Sequence, residues 1–119
     1  MKKTLFIFLI FGAIIFSCSK TTRPSNAETD STLIDCTGVA ATFSADANII
    51  IQTNCVISGC HAAGSTNGPG PLLTYTQIFN ARIAIRYAVI SGAMPLGSTL
   101  STIQKNTIAC WIDAGGPQN

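Results

Sequence analysis

The chain has 119 residues, of which 10% are charged, and a net charge of +2; it is long enough for one small domain and carries few ionised groups for its size. From Cys18 onward, Lys20, Arg23, Arg82, Arg86 and Lys105 are balanced by Glu28, Asp30, Asp35, Asp46 and Asp113, so there is no basic stripe for nucleic acid and little support for paired catalytic carboxylates. A single histidine, His61, and one methionine beyond the initiator, Met94, exclude sites that need several imidazoles from one chain.

Met1-Lys2-Lys3 is a short basic start, and Leu5 to Phe16 is an uncharged apolar run. A helix needs roughly 20 residues to span a bilayer, so this shorter run reads as the core of a signal peptide. It ends Ile15-Phe16-Ser17-Cys18-Ser19. A small residue followed by cysteine at this place resembles the lipobox of bacterial lipoproteins. The resemblance implies that residues 1–17 are a signal peptide and that Cys18 is lipidated as the new first residue. Acyl chains would then hold the protein on a membrane, in an oxidising compartment outside the cytoplasm. Ser19 stands where an aspartate would suggest inner-membrane retention, so the expected location is the cell envelope, at the outer membrane facing the periplasm. An ordinary signal peptide with Cys18 incidental is the other reading.

Residues 18–35 are polar and rich in Ser and Thr, the composition of a tether. The folded domain is expected over 36–119, a size at which an apolar core alone is marginal and staples or cofactors help. Ser44 is a plausible cap for a first helix from Ala45 to Asn54.

That helix runs into Cys55-Val56-Ile57-Ser58-Gly59-Cys60-His61. Two cysteines with a histidine directly after the second is the pattern of covalent haem attachment, although the usual spacer has two residues and this one has four. The chemistry explains the residue types. Each thiol adds to a haem vinyl group, and the adjacent histidine coordinates the iron through one ring nitrogen while the other donates to a carbonyl. The longer spacer needs extra backbone, which Gly59 is placed to supply.

A glycine- and proline-rich loop over 62–73 separates this motif from a second helix, capped by Thr74 or Thr76 and running to Ser91. Ile78, Phe79, Ile83, Tyr87 and Ile90 fall at helical spacing along it, with Arg82 and Arg86 one turn apart, and Gly92 stops it. Ser101-Thr102-Ile103-Gln104 fits a capping box for a third helix. This helix continues through Ile108, Trp111 and Ile112 and ends at Gly115-Gly116. No alternating pair of strands is visible, so the fold class is all-α.

Four pieces together carry a family resemblance: Cys55 to His61, Gly70-Pro71-Leu72-Leu73, Gly92-Ala93-Met94-Pro95 and Trp111-Ile112-Asp113-Ala114-Gly115. They resemble the small c-type cytochrome domains found in bacterial lipoproteins, some of which use the four-residue spacer. The resemblance implies three or more short helices around one covalent haem c, attached through Cys55 and Cys60. It makes His61 the proximal iron ligand and Met94 the distal one. By position, the Pro71 carbonyl would accept the His61 ring proton and Leu73 would pack on the porphyrin. A thioether ligand raises the reduction potential, and two filled axial positions suit electron transfer between redox partner proteins rather than catalysis. Domains of this type bring their ends together, which implies a disulfide between Cys36 and Cys110. Arg82 and Arg86 are then available to the haem propionates, unless they simply form a solvated helix face. Trp111 would join the last helix to the first near the haem edge. With so little net charge, docking through an apolar haem edge is expected.

Several readings compete with this one. Cys55, Cys60 and His61 with Cys36 or Cys110 would make a four-ligand zinc site, although adjacent Cys60 and His61 reach one tetrahedral ion with difficulty. A haem-free lipoprotein with two disulfides, one of them Cys55–Cys60, would be a binding or scaffold module. Displacement of Met94 by a ligand would suit a sensor or peroxidase.

Overall fold

The computed structural model describes residues 34–119. The expected signal peptide, Cys18 and nearly all of the tether lie outside the described residues. Among the described residues the secondary structure is helical throughout, with no strand: a π-helical turn (Phe43–Ala47) running directly into α1 (Asn48–Asn54), then α2 (Tyr75–Ser91) and α3 (Thr102–Asp113). The all-α class therefore holds.

The first helical segment starts earlier than the sequence suggests. Thr42, not Ser44, is its cap: the Thr42 hydroxyl accepts from Ala45 N at 3.3 Å. Asp46 reaches back, and its carboxylate accepts from both the backbone N–H and the hydroxyl of Thr42 at 2.8 Å. This reciprocal arrangement has the logic of a capping box, but the acid sits four residues on rather than three. The π turn explains the offset, because Ala47 N bonds back to Thr42 O and the wider turn holds one more residue. Ser44 is exposed, and its N–H donates to the backbone carbonyl of Asn119 at 2.9 Å.

α2 and α3 begin as their sequences predict. Thr74 and Gln77 form a complete capping box, as do Ser101 and Gln104. Gly92 ends α2 in the left-handed region, at φ 75°, where glycine has no Cβ to clash. α3 ends at Asp113, just before the two glycines expected to stop it.

The buried face of α2 differs from expectation. Ile78, Ala81, Ile85 and Val89 are buried, while Ile83 and Tyr87 are 67% and 76% exposed. Apolar side chains lie nearly all round this helix, so their spacing alone does not select a face. Ala81 lets α2 approach its neighbours, and Ile85 and Val89 follow on the same side at successive turns.

α2 packs against α3, and α3 against the π-helical turn. Trp111 is fully buried at the centre, with its indole N–H donating to Pro117 O at 2.9 Å. Phe43 lies against it at 5.4 Å between ring centres and meets Tyr75 edge-on at 5.0 Å. The Cys36–Cys110 disulfide, with Cα atoms 5.4 Å apart, ties the start of the domain to α3. α1 has no comparable packing against α2, and the space between them is the site described next.

Candidate functional site

A cavity of about 380 Å³ opens between the C-terminal end of α1 and the C-terminal half of α2. Its wall contains Cys55, Cys60, His61 and Met94 together. The rest of the lining is nearly all apolar, including Leu72, Ala84, Ile85, Ala88 and Val89, and no lysine, arginine, aspartate or glutamate takes part. Its volume falls in the usual range for a small-molecule or cofactor site.

Each wall residue is delivered by an identifiable piece of local structure. Cys55 is the C-cap of α1, with its N–H on Ile51 O. The chain then makes a short loop that closes when His61 N donates back to Cys55 O at 3.1 Å. Gly59 adopts φ 82° within this loop, so the four-residue spacer does use a glycine where a side chain would be strained. His61 is held on both sides: its carbonyl accepts from Leu72 N at 3.0 Å, and the Leu72 carbonyl accepts from Gln52 Nε2 at 2.9 Å. Met94 follows the left-handed turn at Gly92, and its N–H bonds back to Ala88 O at 3.1 Å.

His61 is the one buried polar side chain among the described residues. Its Nδ1 lies 2.8 Å from the carbonyl oxygen of Gly70. A carbonyl only accepts, so Nδ1 carries the proton, and Nε2 is left as the ring nitrogen that could bind a metal. The accepting group is Gly70, not Pro71 as the resemblance implied. The leucine assignment shifts by one residue in the same direction: Leu72 is 3% exposed and lines the cavity, whereas Leu73 is 42% exposed. The Leu72 N–H and C=O are both engaged in the bonds above, which turns that side chain inward and its neighbour outward.

Cys55 and Cys60 remain separate thiols. Burial pushes the Cys55 thiol up from its ordinary value, and the neighbouring Cys60 adds to the shift, so Cys55 is a protonated, weakly ionised thiol at neutral pH. The Cys55–Cys60 bridge that the scaffold alternative expects is not present in this fold. The zinc alternative loses its outlying ligands, because Cys36 and Cys110 are bonded to each other. Among the described residues no three His, Cys, Asp or Glu side chains are grouped to hold a metal ion.

The remaining expectations divide. Arg86 makes a two-bond ion pair with Asp113, at 2.6 and 2.8 Å, that joins α2 to α3. Arg82 stacks on the Phe79 ring at 3.9 Å and donates to the Phe79 carbonyl. Neither arginine lines the cavity. Trp111 does join the last helix to the first helical segment, through Phe43, but it stands in the core and not on the cavity wall. Sequence reasoning missed Gln52, Ala84 and Ala88, and also Asn67, whose side-chain amide donates to the Gly59 and Cys60 carbonyls. Only Asn67, in an Asn-Gly turn signal, had a local cue.

Compared with protein-family models, curated proteins and solved structures, the chain has no match. Among the described residues, no helix is long and apolar enough to cross a membrane.

Proposed function

We propose that the chain is a monohaem c-type cytochrome that transfers single electrons between redox partner proteins. The observation that carries this reading is that Cys55, Cys60, His61 and Met94 line one apolar cavity. The donor set fits the group: two thiols that could form thioether bonds, and one imidazole nitrogen and one thioether sulfur that could bind its iron. Haem c, when bound, supplies a one-electron iron couple.

The protein's own part is to hold and insulate. Cys55 and Cys60 would anchor the porphyrin at the end of α1. His61 would offer Nε2 to the iron, kept in one tautomer by the Gly70 carbonyl. Met94 would offer its sulfur from the loop after α2. Leu72, Ile85 and Val89, all buried on the cavity wall, exclude water and favour the less charged, reduced state. Ile57 and Leu96 line the cavity and stay 48% and 72% exposed, which supports docking of a partner at an apolar rim. Lipid attachment at Cys18, and hence a place on the outer membrane facing the periplasm, belongs to the same proposal.

The test is a pyridine haemochrome spectrum of the full chain made in a host with haem-attachment machinery, with the mass of the product. A c-type spectrum and one haem bound through both cysteines are expected. A colourless protein of unmodified mass would sink the reading.

A further inference from the structure

Between Gly59 and Gly70 the hydrogen bonds form a closed circuit. Asn67 Nδ2 donates to the carbonyls of Gly59 and Cys60, at 2.9 and 3.2 Å. The backbone carbonyl of Asn67, which any residue at this position would supply, accepts from Gly70 N. The Gly70 carbonyl in turn accepts the ring proton of His61 at 2.8 Å, and His61 is covalently next to Cys60. Ser65 braces the circuit from inside: its hydroxyl donates to the Cys60 carbonyl and accepts from Asn67 N at 3.2 Å.

The spacer needs such a tie. Ile57, Ser58 and Gly59 are exposed. Among the described residues, apart from Cys60 N on Ile57 O and His61 N on Cys55 O, the hydrogen bonds that hold the Gly59–Cys60 backbone come from the 65–67 side. Gly59, at φ 82°, has wide conformational freedom and would not keep one path by itself. A primary amide carries two N–H donors and so serves two carbonyls at once, which a carboxylate cannot do.

We propose that Asn67 is the positioning residue of this site: through the circuit it fixes the Cys60 backbone and the His61 ring relative to the cavity. Its effect on a bound haem rests on the function proposed above; its effect on His61 does not. Without the Asn67 amide, the Gly59 and Cys60 carbonyls lose their tie to the turn that presents the Gly70 carbonyl to His61, and the four-residue spacer is free to relax.

The experiment compares the full-length wild type with Asn67→Ala and Asn67→Asp, in the haem-loaded and haem-free forms. It reads solvent exchange of the His61 Nδ1 proton by NMR, together with the reduction potential of the loaded form. Gln104→Ala is the control, because it removes one capping bond of α3 away from the cavity. Asn67→Ala is expected to speed exchange roughly tenfold, as loss of two ordinary hydrogen bonds predicts, and to shift the potential; Gln104→Ala should do neither. Asn67→Asp should match Asn67→Ala at neutral pH and recover toward wild type in acid, where a protonated carboxyl regains one donor. Exchange unchanged in Asn67→Ala, an equal change in Gln104→Ala, no acid recovery in Asn67→Asp, or a wild type with no protected Nδ1 proton would each overturn the proposal. If the wild type takes up no haem, the cytochrome reading fails, and exchange in the haem-free forms still decides the role of Asn67.

Discussion

His61 and Met94 line the same cavity from opposite ends of the α2 segment: His61 lies before the loop that leads into the helix, and Met94 just after the glycine that ends it. The chain's one imidazole and the one thioether beyond its initiator thus stand on the wall of one largely apolar cavity. Local signals fix the ends of the helix between them, its start at the Thr74 cap and its end at Gly92.

If Met94 binds the haem iron, Met94→Ala should lower the reduction potential of the haem-loaded protein and remove the sulfur-to-iron charge-transfer band. Loss of a soft, neutral ligand destabilises the ferrous state. An unchanged potential with an unchanged band would take Met94 out of the coordination sphere.

The leucines separate in a stability measurement. Leu72 is buried on the cavity wall and Leu73 faces solvent. Leu72→Ala is expected to cost about 2–5 kcal/mol, and Leu73→Ala about 0.5 kcal/mol or less. Denaturant titration of the two variants checks this, and equal costs would contradict the inward register of residue 72.

Removal of the Cys36–Cys110 bridge by a double substitution to serine should lower unfolding stability by about 4–5 kcal/mol, from the loop-closure entropy of so long a loop. The mass of the non-reduced domain should be short of two hydrogens. The bridge lies away from the cavity, so absorption by bound haem should change little at temperatures where the variant stays folded.

Cys55 predicts a pH dependence for the haem-free chain. Its folded-state pKa is raised by burial, with Cys60 adding to the shift. The corresponding contribution to stability is complete below the thiol pKa of the unfolded chain, about 8.5, and is lost as pH rises through the folded value. Denaturation midpoints should therefore fall in mild alkali, and Cys55→Ala should flatten that fall. Alkylation of Cys55 should accelerate only above the ordinary thiol range.

Helices α2 and α3 were legible because their ends carry local chemistry. A threonine or serine with glutamine three residues on, and glycine at the far end, specify a boundary through bonds that span a few residues. The first segment was harder to place. Its cap pairs Thr42 with Asp46 across a π turn, and four-residue spacing is not the pattern a capping box usually shows. The pairing of Cys36 with Cys110 was anticipated from the family resemblance and is present in the fold.

The candidate site divides in the same way. Cys55, Cys60 and His61 announce themselves by adjacency, and Met94 by being the one methionine left after the initiator. Which carbonyl takes the His61 proton, which leucine faces inward and which side of α2 is buried were not decided by residue order. A one-residue change of path in the loop exchanges Gly70 for Pro71 and Leu72 for Leu73, and no short-range rule distinguishes the two paths. Packing against α1 and α2, and the bonds from Gln52 and Asn67, select one of them. Local bonding patterns were thus written in the chain itself, while the direction of each wall side chain followed from close packing among segments far apart along it.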